Sequence, residues 1–357
     1  MKTINYLSPE RLALLPENYY LAHEFCFYLH DSVVSTLVQY EQAGIHNTVK
    51  DAIEEVINTE GLEDKFEGKN LLDMLRDNEN TFELYKKHLL GHLVLALASD
   101  MLHFLYEAMT SIEKRKFSVG FSLFRKPFKE NLFLLSWILA DEDDFIKRFE
   151  SDNFKSFKLP SSEEKKEIIA KAISKLHTKD TFDEELIWNF IYSKQHENGF
   201  EPTWQRATHL TTSMGKLLKT EDLSFNFIFE NADDDFYFNF LEDGLPYLMF
   251  YMSQVSLACF DKVHNLNEKT VNHLIMTSYG VFESLYKNQE ESKVMNNIQK
   301  MFDKFLICVH CQSKFTIAKD DFASLLIEEQ FECSKCKLDN QFPFYWLLAQ
   351  TNWSFKE

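Results

Sequence analysis

Two Cys-x-x-Cys pairs near the C-terminal end constrain this chain more than any other feature. Cys308-Val309-His310-Cys311 and Cys333-Ser334-Lys335-Cys336 are separated by 21 residues. A zinc ion takes four soft ligands in a tetrahedron, with Zn–S near about 2.3 Å. Each Cys-x-x-Cys turn presents two sulfurs on one side, so two such turns complete the shell. The spacer slightly exceeds the usual range of roughly 15–20 residues, and a helix inserted between the knuckles, for which Phe322–Glu328 is suited, accommodates the excess. Ligation by four thiolates leaves no position for water. The pattern therefore predicts one structural Zn²⁺ held by Cys308, Cys311, Cys333 and Cys336, stabilising a ribbon too small to fold alone. A thioredoxin-like redox site would use one pair in a βαβ setting. His310, between two ligands, reads as a surface residue. Cys26 and Cys259 stand alone in apolar stretches and read as small buried hydrophobes. Thiols arranged this way suit a reducing compartment rather than a disulfide framework. With the polar start Met1–Pro9, they predict a cytoplasmic protein.

The rest of the chain reads as helix. Gly is 9 and Pro is 7 in 357 residues, well below the average usage of about 7% and 5%. Sandwiches and doubly wound folds need glycine turns, so this scarcity favours long helices. Phe is 34, which implies thick aromatic packing between them. Apolar residues recur at three-to-four spacing over Glu17–Gln42, Thr81–Glu113, Phe121–Ala140, Asp144–Phe149, Phe182–Ser193, Trp204–Leu218, Phe236–Asp261, Lys269–Tyr286 and Glu291–Phe302. Ala52–Ile57 and Leu71–Leu75 are shorter helical pieces. Ser8-Pro9 and Ser161-Ser162 look like helix starts. Leu223–Glu230 fits either a short strand or a loop anchored by its aromatics. The fold class expected is an all-α, multi-helix bundle with a small β-rich zinc ribbon at the C-terminus. The expected division is a helical domain over 1–302, a ribbon over 303–345, and an aromatic tail over 346–357 that docks on the body. The longest uncharged run, Gly244–Phe260, falls short of the roughly 20 residues that span a bilayer, so a buried helix and no membrane are expected.

Charge narrows the partners. The net charge is −18, which repels phosphate backbones and anionic headgroups. The ribbon itself carries five Lys, no Arg and seven Asp or Glu between Asp303 and Tyr345, so it lacks the basic stripe of a nucleic-acid reader. The expected partner is another protein or a second copy of the chain.

Three features of the body carry possible chemistry. His88, His92 and His103 follow one line of a long helix, with Glu107 a turn further on, and helical bundles build di-metal sites from such residues. Leu90, Val94, Met101 and Leu105 centre on the opposite side, which turns the histidine line outward. His23-Glu24 begins like a metalloprotease motif, but Phe27 stands where the second His belongs. Lys114, Arg115, Lys116, Arg125, Lys126 and Lys129 form a basic cluster, read either as an anion or RNA contact or as partners for the surrounding acids. Asp233-Asp234-Asp235 fits a helix start favoured by the macrodipole. Phosphate-binding loops and the nucleophile elbow are absent from the sequence.

The stretch Phe124-Arg125-Lys126-Pro127-Phe128-Lys129-Glu130, followed by Leu132–Leu139, resembles a segment of uncharacterised bacterial helical proteins of the DUF5677 type. More distantly it resembles the HEPN-like bundles of toxin and antiphage systems. The resemblance covers about twenty residues and implies a helical bacterial scaffold in which Arg125 and Glu130 look inward. HEPN ribonucleases also carry an Arg followed by a His after four to six residues. No Arg of this chain meets that spacing, and Arg206-Ala207-Thr208-His209 is the nearest approach. The leading expectation is a zinc-binding helical binding or regulatory protein, within a defence or toxin-type system. The alternatives are a degenerate HEPN-like ribonuclease acting near Arg125, Glu130 and His209, and a di-metal helical-bundle enzyme.

Overall fold

A computed structural model describes residues 3–42, 45–60, 71–150, 159–209, 211, 234–287 and 292–349. These fold into an all-α bundle with a two-stranded sheet near the C-terminus. A short α1 (Pro9–Leu12) leads into α2 (Tyr20–Gln42), α3 (Ile45–Glu60) and α4 (Leu71–Asp77). The long α5 (Phe82–Glu113) turns back through α6 (Phe117–Lys126) into α7 (Leu132–Ala140) and α8 (Glu142–Phe149). Then come α9 (Ser162–Ser174), α10 (Glu184–Tyr192), α11 (Phe200–Thr208), α12 (Asp234–His264), α13 (Glu268–Tyr286) and α14 (Lys293–Phe302).

Local chemistry sets many of the boundaries. Ser161 caps α9 in a complete capping box with Glu164, and Asp141, Asp183, Asn267 and Ser292 cap α8, α10, α13 and α14 through their side chains. The end of α5 is a Schellman turn: Arg115 takes φ 55°, its N–H bonds Ile112 O, and the Lys116 N–H bonds Ser111 O. The expected single helix over Phe121–Ala140 is interrupted. Pro127 has no N–H to give, and the ladder passes through a π turn, Pro127–Asn131, closed by the Leu132 N–H on Pro127 O. Of the helix expected over Trp204–Leu218, α11 covers the part up to Thr208, and residues 210 and 212–218 lie outside the described residues. Leu223–Glu230 and Asp233 lie outside the described residues.

The core is aromatic. Helix α5 lies against α2, α6 and α12, and its Leu90, Val94, Met101 and Leu105 are buried. Among the described residues α5 is the one helix long and apolar enough to cross a bilayer. Here Leu102 is buried in the same core, Leu89, Leu93, Leu95 and Leu97 pack against it, and Leu84 packs on a smaller cluster with Ile53 and Leu75. The Gly244–Phe260 run lies within α12, almost entirely buried. Phe250 stacks on Phe282 at 4.8 Å and meets Phe182 at 5.2 Å. Each such ring buries on the order of 150–250 Å². Cys26 and Cys259 are fully buried, and burial pushes both thiols up, Cys259 to about 12.

The same core continues into the C-terminal module. Phe322, Leu325 and Leu326 of α15 (Lys319–Glu328), together with Phe331, Phe342 and Phe344, belong to the cluster that includes Phe25 and Phe250. Helix α15 packs along α13, where Gly280 makes room: a Cβ there would sit 2.6 Å from Leu326 Cδ1. Strands β1 (Gln330–Glu332) and β2 (Asp339–Gln341) pair antiparallel with Phe331 opposite Asn340. A short α16 (Phe344–Ala349) follows.

Candidate metal centre

Two hairpin turns carry the four cysteines. In the first, a bridge between Ile307 and Lys314 and the Phe315 N–H on Leu306 O hold the stem. Cys308 N–H bonds Ser313 O, and Gln312 N–H returns to Cys308 O, both at 2.9 Å. The second repeats the plan: Cys333 N–H bonds Leu338 O at 3.0 Å and Lys337 N–H returns to Cys333 O at 2.9 Å. In each turn the residue after the second cysteine is left-handed, Gln312 at φ 57° and Lys337 at φ 60°. Neither is glycine, so nothing in the sequence announces this conformation.

The two turns face each other. Cys308 Sγ is 3.6 Å from Cys336 Sγ, and Cys311 Sγ is 3.7 Å from Cys333 Sγ. The four sulfurs lie within 4.8 Å of one another. A tetrahedron with bonds of about 2.3 Å to its centre has edges of about 3.8 Å, so this spacing is that of sulfurs sharing one ion. It is far too wide for a disulfide, whose sulfurs approach to about 2.05 Å, and all four cysteines are free.

Backbone dipoles prepare the sulfurs for negative charge. The N–H groups of Cys336 and Lys335 draw the Cys333 thiol down to about 6. At Cys308 burial opposes ionisation, but the N–H groups of Cys311 and His310 outweigh it and the net shift is downward. Cys336 goes the other way, to about 12: the Leu338 N–H pulls it down, while burial and the neighbouring thiols push it up. Four thiols this close cannot all ionise unless a cation compensates them. Ser313 Oγ lies 2.6 Å from Cys311 Sγ and 3.7 Å from Cys333 Sγ, an outer hydroxyl bridging the two turns. Buried Asn340 rivets them from below, accepting from Val309 N–H at 2.9 Å and donating to Leu338 O at 2.9 Å. Sequence reasoning missed Ser313 and Asn340, because nothing in their local pattern marks them. His310 is exposed, and its Nε2–H donates to Asp339 O at 3.2 Å, away from the sulfurs.

The module is fastened to the body beside the sulfurs. Phe342 and Phe344 pack on Phe302 at 5.8 and 6.0 Å. Tyr345 sets its ring 4.4 Å from His273 and donates its hydroxyl to Leu326 O at 3.0 Å. Ser324 Oγ reaches Ile4 O. The segment around Ile4 is in turn held on α2 by Glu24, which accepts from the N–H groups of Ile4, Tyr6 and Leu7. Trp346 is exposed, and Trp353 lies outside the described residues.

The body's candidates are placed less tightly. Arg125 Nη1 is 4.0 Å from Glu130 Oε1, with their side chains 35% and 50% exposed. Neither looks inward as the resemblance implied. Phe124, Phe128 and Asn131 already fill the core side of the π turn. His209 is exposed at the end of α11, and Ser122 Oγ donates to Ala207 O at 3.3 Å, which sets that end beside α6. A groove of about 450 Å³ between α11 and α12 is bounded by Arg206, Tyr237 and Asp243, not by Arg125, Glu130 or His209. The basic cluster divides: Lys126 binds Asp100 at 2.7 Å and Lys129 binds Glu201 at 2.6 Å, while Lys114, Arg115 and Lys116 are exposed at the turn after α5. His92, His103 and Glu107 are exposed, and His88 stacks edge-on against His92 at 4.5 Å. His23 and Glu24 are both buried and bound separately. The His23 ring bonds Glu113 at 2.9 Å, and Arg11 closes on the same carboxylate. Burial raises the Glu113 carboxyl, but the His23 and Arg11 hydrogen bonds outweigh it and hold the group below its usual range.

No family model, curated protein or solved structure matches this chain.

Proposed function

We propose that the four cysteines hold one Zn²⁺ in a closed structural site, and that the protein is a binding or regulatory module whose ribbon supplies the contact surface. The sulfur spacing, 3.6 and 3.7 Å across the two turns, carries the reading. Four thiolates complete a tetrahedral shell, so the ion stabilises rather than catalyses. The ribbon's outer face supports the binding role. Leu306 and Cys308 point inward, while Phe305, Ile307 and Val309 alternate outward with Leu338 nearby. Several apolar side chains left in water side by side on one short hairpin mark a surface for a protein partner. Thiol ligands also require a reducing compartment. Metal analysis of the purified full chain is expected to give one zinc per chain. Chelation is expected to loosen the ribbon without stopping any turnover. A stoichiometry well above one would favour the di-metal reading, for which the contact of His88 with His92 is the observation at hand. A second reading, a degenerate ribonuclease at Arg125, Glu130 and His209, draws on the placement of the α11 end beside α6. Cleavage of labelled RNA that Arg125→Ala abolishes would establish it over the binding role.

A further inference from the structure

Helix α12 opens with an aromatic stripe. Phe236, Phe240 and Asp243 recur at steps of four and three, so they share one face. With Tyr237 they line the groove of about 450 Å³ between α12 and α11, a volume within the range of about 300–1,000 Å³ usual for small-ligand pockets. The Phe236 and Tyr237 rings stand 5.4 Å apart at 80°, two walls of a corner. The core fixes the rings behind it. Phe117 stacks on Tyr237 at 4.9 Å, and Phe240 meets Phe200 at 4.9 Å and Phe121 at 6.1 Å. Phe236 itself is 60% exposed, a large ring left in water on the wall of a cavity. The groove is also short of positive charge. Glu197, from the turn before α11, and Asp243 both line it and are exposed. Arg206 is the one cation among its described lining residues, so two carboxylates face one guanidinium. Burial chiefly, and the Asp243 charge in addition, push the neighbouring Glu242 carboxyl up although Asn18 hydrogen-bonds it.

We propose that this groove binds a small quaternary or methylated ammonium compound, with its cationic head in the corner of Phe236 and Tyr237 and its charge offset by Asp243 and Glu197. The face of an aromatic ring is the negative part of its quadrupole, and an ammonium clothed in methyl groups gains from that face while giving up little hydration. An anion would meet two carboxylates here, and a neutral apolar ligand would leave both without a counter-charge. Arg206 on the same groove selects ligands whose far end is neutral or anionic. None of these residues belongs to the ribbon, so the site stands or falls separately from the zinc.

The probe is choline, titrated against the full chain by ligand-observed NMR in about 0.15 M salt, where diffuse attraction to an acidic surface is screened beyond about 8 Å. Saturable one-site binding is expected, about tenfold tighter than that of its uncharged isostere with carbon in place of nitrogen. Phe236→Leu and Asp243→Asn, both at exposed positions, should each weaken choline about fivefold and leave the helical signal and the zinc content unchanged. A trimethyllysine peptide separates two sources of the same head group. Binding tighter than that of choline assigns the groove to a modified protein side chain, and weaker binding assigns it to a free metabolite. Equal binding of the uncharged isostere overturns the cation site. So does a choline affinity that neither substitution changes, or the lack of saturable binding by either cation.

Discussion

The ribbon and the helical body keep their chains ordered by different physics. In the body, order is spread over many rings. Phe250 alone meets Phe182 and Phe282 within 5.2 Å, and α2, α5, α12 and α13 all add to one continuous core, while α3 packs in a smaller cluster with α4 and the start of α5. In the ribbon, Phe315, Phe322 and Phe331 join the edge of that core, but the two tight turns themselves are drawn together where four sulfurs lie within 4.8 Å of one another. The surfaces differ as well. Both close charges locally, as in Lys126 with Asp100 and Lys314 with Asp303, but the ribbon gathers exposed Phe305, Ile307 and Val309 within one short hairpin. A distributed core loses stability in increments, while a clasp fails as a whole.

That contrast can be broken most directly at the sulfurs. Cys333→Ser should abolish zinc retention and forfeit most of an apparent metal-binding free energy of about 10–16 kcal/mol. Hydrogen exchange is the measurement: amides over 303–345 should lose protection while those of α5 and α12 keep theirs. Equal loss in both regions would mean that the clasp also holds the body. Phe250→Ala tests the distributed core from the other side. It should cost about 3–5 kcal/mol in denaturant unfolding yet leave zinc stoichiometry unchanged. Loss of the ion in that variant would show that the continuous core couples the two regions more strongly than their separate chemistry implies.

The smallest effect sharpens the boundary between them. Burial lowers the His273 pKa to about 4, and its ring rests on Tyr345 where α13 meets α16. Unfolded, the same imidazole titrates near about 6.5. Between those values the unfolded chain binds the extra proton, so the contact is at full strength above about 6.5 and weakens as pH falls toward 4. Exchange of the α16 amides should therefore quicken over that window. His273→Phe, which keeps a ring against Tyr345, should flatten the dependence. A profile unchanged by the substitution would assign the acid sensitivity to the thiolate ligands instead.

How far the sequence reached varied with the kind of information each feature needed. The four sulfurs were legible because metal chemistry is written in residue type and spacing. The helix start at Ser161-Ser162 and the inward line of Leu90, Val94, Met101 and Leu105 were legible for the same reason: periodicity and caps are local. Arg125 and Glu130 were not, because which side of a helix meets the core depends on what packs there, and Phe124 and Phe128 took that side. The π turn followed from Pro127 within a helix that the surrounding core keeps going.

The sequence by itself determined that this chain would be helical and aromatic-cored and would bring four cysteines together near its end, since composition, period and spacing act over a few residues. Only the tertiary structure decided that Glu113 would sit between Arg11 and His23, that Asn340 would rivet two turns, and that Gly280 would admit Leu326. It alone set Lys165 between the rings of Phe133 and Tyr192. Those outcomes join residues far apart along the chain, and no local pattern encodes the choice among the many partners that burial makes possible.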